Sequence, residues 1–518
     1  MKRFVAKHAD KIEGVLNGFD RLVLRGSLRT VAYARGMMRL LWDRQVLLKD
    51  FKGFAASATE QLKRATQERL EELGRPLRYL PSSQTDKESA TLEIAQRDGI
   101  TQGLVCVLSC VEPCWAFDVY RNASTKQLDL VMRQRKCLAY YHYAIDPVFG
   151  WMNARIQSWL PFNVQVCLNG REWLSRQMDR EGLAYRRADN CFTWIHDFGR
   201  AQSVMDEQLR TNWPTQLDRI AATLGPVTDE ILWRPGRPPL DYYWSVYQSE
   251  WASDVAFRDP AALAATYAPL VLHGITSFSS ADVMRFLGSK FHGRFQGEVV
   301  SDFKVRQEGV RIKHRAGENS IKLYDKQGSV LRAETTLNDA HNYRVFRTAE
   351  GDDDGKKSWR PVRKGVADLY RRTQVSQEAN ERYLDAFADV DTSTPLKSLL
   401  DEVCKPTTWK GKRVRGLRPF VDDTELLRTI CRGEYALNGL RNRDIQDQLF
   451  SAPSRSKAER RSRSARVTRQ IRLLRAHGLL HKVAGTHRYK LAPRGRELAV
   501  AILAAQRLTL GQINKLAA

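Results

Sequence analysis

Tyr324, Lys326, Arg332 and Glu334 form the sharpest grouping of reactive residue types in the chain. They lie in Ser320-Ile-Lys-Leu-Tyr-Asp-Lys326 and Val330-Leu-Arg-Ala-Glu-Thr-Thr-Leu-Asn338. Strand alternation puts Ile321 and Leu323 on one face of the first run and Lys322, Tyr324 and Lys326 on the other. A hairpin turning at Gln327-Gly328 would then gather Tyr324, Lys326, Arg332 and Glu334 on one side. A tyrosine among cations can attack a phosphodiester, and Glu334 can bind a metal or act as a base. The plain alternative is a cross-strand ion pair beside a tyrosine at the edge of a core. A second set of carboxylates, Asp20, Asp118, Asp146, Asp254, Glu298 and Asp302, could supply ligands for Mg²⁺ or Mn²⁺ in phosphoryl chemistry. Asp20 and Asp118 stand out as metal candidates because each interrupts an apolar strand, where an unpaired charge is costly; Arg21, Arg25 and Arg121 are the salt-bridge alternative.

Other metal and phosphate chemistries lack their residues. Cys106, Cys110 and Cys114 are spaced by four within an apolar run, and no C-x-x-C pair exists, so they read as small buried hydrophobes. No glycine-rich phosphate loop is present, and no cofactor is evident beyond the cation a nuclease would need. Aromatics interleaved with arginine, at Tyr140-Tyr-His-Tyr143, Trp151 to Trp159 and Tyr242-Tyr-Trp244, either fill a core or stack the bases of a single strand.

The elements that must position these groups read as α+β. Phe19–Gly26, Leu104–Leu108, Trp115–Tyr120 and Asn163–Leu168 read as strands, and Ala56–Leu73 as a helix. Asn169-Gly170 opens a further helix over 171–178. This gives a mixed α/β N-terminal domain over 1–225, ending near the turn-rich Trp233–Pro239. A central α+β domain over 226–395 would hold a helix at Tyr242–Phe257, a short helix at Ser280–Leu287 and the strand hairpin 309–338. The acidic stretch Glu350–Lys357 reads as a solvated loop, and Asp391-Thr-Ser-Thr-Pro395 as part of a linker.

Charge points to the partner. The 518 residues carry a formal +25, and residues 401–518 hold 26 Lys+Arg against 10 Asp+Glu, which places +16 in the last 118. Such a field favours polyanions. Duplex DNA leads, with single-stranded DNA and RNA as alternatives. No apolar run is long enough to span a membrane, and the N-terminus lacks the apolar segment of a secretory signal. Eight cysteines in 518 residues fit a reducing cytoplasm.

Within 396–518, Leu437–Phe450 reads as a helix capped by Asn438 or Asn442, and 465–480 as a second helix with Val467, Ile471, Leu474 and Leu479 inward. Strands at 480–483 and 488–491 flank the turn Ala484-Gly-Thr486, and a helix follows over 493–505. This order, with Val467-Thr-Arg-Gln-Ile-Arg-Leu-Leu-Arg-Ala-His-Gly-Leu-Leu480 and Thr486-His-Arg-Tyr-Lys-Leu491, resembles the winged helix-turn-helix domain of bacterial regulators. The resemblance implies a reading helix in a major groove and a wing on the backbone. Arg463, Arg466, Arg469 and Arg472 would then meet bases or phosphates, and Lys482, Arg488 and Lys490 phosphates.

Two further resemblances bear on the rest. The "YDK…LR.E" stretch around Tyr324 is similar to segments of rolling-circle replication initiators, whose paired-histidine metal motif has no counterpart, His273 and His292 standing singly. Stretches such as "GFDRLVLRG" and "SIKLYDKQGSVLRAETT" are similar to uncharacterised bacterial proteins of mobile-element type. Together they imply a DNA-binding protein of a mobile-element or replication system. The alternatives are a nuclease, replication initiator or transposase-like strand transferase, and a non-catalytic RNA-binding or assembly protein.

Overall fold

The computed structural model describes residues 1–276, 278–288, 299–306, 309–341, 343–348, 357–388, 396–431, 435, 439–450, 452–454 and 456–505. The expected acidic loop at 350–356, the linker at 391–395, and Glu298, His292 and Asn438 lie outside them. The chain divides into a larger compact unit, residues 13–256 with 332–380, and a smaller one, residues 1–12, 257–331 and 381–518. Both mix helix and strand, the α+β class expected from the sequence.

The strands in chain order begin with β1 (Ile12–Leu28), β2 (Leu77–Tyr79), β3 (Gly103–Arg121), β4 (Leu128–Asp146), β5 (Gly150–Gln157) and β6 (Val164–Asn169). Next come β7 (Tyr185–Ala188), β8 (Cys191–Ile195) and β9 (Tyr242–Phe257). Then follow β10 (Val299–Arg306), β11 (Gly309–Ala316), β12 (Asn319–Lys326) and β13 (Val330–Leu337). In the larger unit the sheet order is β13-β9-β1-β6-β5-β4-β3-β2. The β1–β6, β6–β5, β5–β4 and β4–β3 pairs are antiparallel, and β2 lies parallel to β3. In the smaller unit β10, β11 and β12 form an antiparallel meander.

One face of the larger sheet is closed by helices Phe51–Leu73, Gly170–Glu181, Phe198–Glu207 and Trp213–Ala222, whose Leu62, Leu174, Val204 and Leu217 join Leu22, Leu24, Val166 and Leu168 in one core. Burial of each such side chain contributes about 1.5–3 kcal/mol. Two glycines permit the approach. A Cβ on Gly18 would meet the Met205 side chain at 2.2 Å, and one on Gly170 would meet the Phe19 carbonyl oxygen at the same distance. Asn169 caps the helix that starts at Gly170, its Oδ1 accepting from the Arg171 and Glu172 amides at 2.8 and 3.1 Å. That cap sets Arg171 against the sheet.

Three expectations are corrected. Tyr242–Phe257 is a strand and not a helix: Trp244 and Val246 are buried while Tyr243 and Tyr247 are exposed, a period of two that suits its aromatic and β-branched residues. The runs 104–108 and 115–120 are parts of the single strand β3, paired along its length with β4. The helix expected over 465–480 is Lys457–Ala476. It starts early because Ser456 caps it, accepting from the Glu459 amide at 3.1 Å, and Glu459 pairs with Arg463 one turn on.

Candidate functional site

Three neighbouring strands of the larger unit, β1, β9 and β13, deliver carboxylates to one place. Asp20 on β1, Glu250 on β9 and Glu334 on β13 each offer an oxygen within 4.8 Å of the others; Asp20 and Glu334 are buried and Glu250 half-buried. Asp254, four residues along β9 from Glu250 and on the same face, adds a fourth acid.

Two fully buried guanidiniums face this set. Arg332 donates through Nη1 to Asp20 at 2.9 Å, through Nε and Nη2 to Asp254 at 2.6 and 2.9 Å, and to the Asn190 carbonyl at 2.8 Å. Arg171 reaches Asp254 at 2.9 Å and the Ala252 carbonyl at 3.3 Å, while its Nε and Nη1 have no partner among the described residues. Asn190 Nδ2 donates to Asp20 at 2.8 Å. Burial pushes the Asp20 carboxyl above its ordinary range, opposed by Arg332 and Arg171 and reinforced by Glu334 and Asp254. Four carboxyl groups and two guanidiniums thus meet at one place in the sheet. All-oxygen ligands suit Mg²⁺ or Mn²⁺.

The expected reactive residues are distributed otherwise. Asp20 and Glu334 come together, and Asp254 joins them. Asp118 does not: it is held by Arg133 and, at 3.1 Å, by Arg135, on a strand four places from β1, roughly 19 Å across the sheet. The metal pairing of Asp20 with Asp118 is corrected accordingly, Asp118 serving the β3–β4 ribbon as a salt-bridge acceptor. Asp146 binds Arg219 at 2.9 Å and the amides of Val148 and Phe149. Tyr324 and Lys326 lie half-buried on β12 in the smaller unit, opposite in face to buried Ile321 and Leu323, as alternation required. Gln327 and Gly328, at φ 60° and 76°, form the expected tight turn.

Glu250 and Arg171 were not anticipated. A period-two reading of 242–257 would have placed Glu250 and Asp254 on one face; nothing local marks Arg171. All eight cysteines are unbridged thiols. Cys114 is drawn down to about 7, first by the hydrogen bond with the Cys137 thiol and further by Arg155, whose Nη2 lies 3.0 Å away, against the effect of burial.

The second concentration of chemistry lies in the smaller unit. Val403, Leu426, Leu427, Ile445, Val467, Ile471, Leu474, Leu479, Leu498 and Ile502 form one core under helices Thr424–Ile430, Asn442–Leu449, Lys457–Ala476 and Pro493–Ala505. Leu480–Lys482 pairs with Tyr489–Leu491 through a turn at Gly485, and Leu440 bridges Tyr489 with two 2.8 Å hydrogen bonds. Asn442 Nδ2 ties its helix to the next by donating to the Ser464 carbonyl at 3.0 Å and Thr468 Oγ1 at 2.9 Å.

With Val467, Ile471 and Leu474 inward, Arg466 and Arg469 of the longest C-terminal helix are exposed. Arg463 is half-buried, bonded to the Ala452 carbonyl and Glu459 at 2.5 Å and stacked 4.9 Å from the Phe450 ring. Arg472, also half-buried, lies 6.0 Å from Trp409, which Arg475 approaches to 4.9 Å. Lys482 and Lys490 are exposed on the hairpin and Arg488 is half-buried. Of these cations Arg469, Lys482 and Lys490 extend into solvent, while Arg463, Arg466 and Arg472 lie beside aromatic rings, Arg466 at 5.8 Å from that of Phe450.

No protein-family model matches the chain, and neither does any curated protein or solved structure.

Proposed function

We propose that this is a DNA-binding protein of mobile-element or replication type that addresses duplex DNA through residues 430–505, folded as a winged helix. The observation that carries the reading is the Lys457–Ala476 helix, which is core on one side and presents exposed Arg466 and Arg469 on the other. The element order and the Leu440–Tyr489 bridge agree with a three-stranded wing sheet. A helix of this diameter fits a major groove, its arginines reaching guanine edges or phosphates while Lys482 and Lys490 hold the backbone. The test is binding of a labelled duplex by the full chain and by the Arg466→Ala/Arg469→Ala protein. Each lost phosphate contact lowers the salt slope by about 1, and each lost base contact costs about 1–3 kcal/mol. Unchanged affinity and slope would reject the reading.

The convergence of Asp20, Glu250 and Glu334 favours a second reading, metal-dependent DNA strand cleavage. A cation held there would polarise a phosphoryl oxygen and lower the pKa of bound water. Arg171 and Arg332 would fix the carboxylates, and their charge would add to the attraction for phosphate. Cleavage of single- and double-stranded DNA with Mg²⁺ or Mn²⁺, lost in EDTA and in Glu334→Ala, is the expected result; intact DNA under all conditions rejects it.

A further inference from the structure

We propose that the sheet face carried by β9, β1 and β6 in the larger unit, opposite the helical layer, is a docking surface for single-stranded DNA. Tyr243 and Tyr247 stand on this side of β9 at 41% and 49% exposure, while Trp244 and Val246 point into the core. The Arg25 guanidinium lies 4.4 Å from the centre of the Tyr247 ring and Arg29 lies 5.2 Å from that of Tyr243. Both arginines are exposed, and neither has a carboxylate partner among the described residues.

The row continues across the sheet: Arg25 stands opposite Gln165 on β6, and Gln165 opposite Arg155 on β5, whose guanidinium is held by Glu112 and closes the row. Tyrosine and arginine thus alternate with an amide across adjacent strands spaced about 4.8 Å apart. The occupant follows from charge and shape. Guanidiniums already stacked on tyrosine lose little freedom on binding, and their outer faces accept a base by stacking while their N–H groups meet phosphate. Duplex DNA hides its base faces, so this surface selects an unpaired strand. The unneutralised charge of Arg25 and Arg29 calls for a polyanion and disfavours an apolar protein partner. The inference uses residues of the larger unit only and stands apart from the duplex reading.

The test is fluorescence anisotropy of the full chain with labelled oligo-dT, oligo-rU and a duplex, comparing wild type, Arg25→Ala/Tyr247→Ala and Tyr247→Phe. The double variant should bind oligo-dT about 5- to 150-fold more weakly, the range for losing a stacked base, with a smaller salt slope and unchanged duplex affinity. Tyr247→Phe, which keeps the ring, should bind as wild type. A wild type that fails to bind oligo-dT, a double variant that binds it undiminished, or a wild-type preference for oligo-rU would overturn the proposal. Loss of duplex binding only in Arg466→Ala/Arg469→Ala bears on the C-terminal reading and leaves this one intact.

Discussion

Replacing Arg332 by methionine removes a guanidinium that is 0% exposed and leaves Asp20 and Asp254 facing each other inside the larger unit. Attraction and desolvation largely cancel for an intact buried pair, but deleting one partner costs about 3–5 kcal/mol. Over the roughly 290 residues of that unit, an unfolding entropy near 2.1 cal/mol/K per residue converts this to a drop of about 5–8 °C in melting temperature. The sign with pH is specific. The folded Asp20 carboxyl sits above its ordinary 3.8 even with Arg332 lowering it, so in Arg332→Met it rises further. A raised carboxyl favours the folded state below 3.8 and loses that contribution as pH climbs through the folded value. The defect should therefore grow as pH rises through the folded value and shrink on acidification toward 3.8. Urea and thermal unfolding of both proteins across this range supply the assay. A destabilisation below about 1 kcal/mol at pH 7, or one of equal size at both ends, would refute the reasoning.

The other predictions are shorter. If the acidic centre holds a divalent cation, Mg²⁺ or Mn²⁺ at a hundredfold excess over its dissociation constant should stabilise the wild type by about 2.7 kcal/mol and Glu334→Ala far less; equal stabilisation in a melting assay argues against the site. His142 is buried with Nε2 unpartnered among the described residues, and desolvation lowers it to about 3. Because the unfolded chain takes up this proton more readily, stability present above 6.5 should fall by about 2 kcal/mol by pH 5, and His142→Leu should lack that slope in acid denaturation. Ser456→Ala should cost about 1 kcal/mol by removing the cap and should weaken duplex binding modestly, both read from melts and anisotropy; no change in either would contradict the capping account.

Elements with a complete local signal were legible in the chain. Asn169-Gly170 announced a capped helix and Gln327-Gly328 a tight turn. Each depends on side chains a few residues apart. The strand at 242–257 was misread because its last seven residues are all buried, which blurs the alternation plain over 243–247. The acidic centre was only half legible. Asp20 and Glu334 were each noticed for their own setting, but more than three hundred positions separate them, and only the order β13-β9-β1 joins them. That order is fixed by packing of whole strands and helices, which no local pattern encodes. Arg332 was grouped with its hairpin neighbours Tyr324, Lys326 and Glu334, because its partners, Asp20 and Asp254, are far away in the chain.

Hydrogen exchange on the 518-residue chain with and without a DNA duplex tests the central claim most directly, because it reports where the DNA sits without altering a residue. The account predicts slowed exchange over Lys457–Ala476 and the Leu480–Leu491 hairpin, reversed by raising the salt concentration. Bound duplex with those segments unprotected, or protection confined to other parts of the chain, would contradict it.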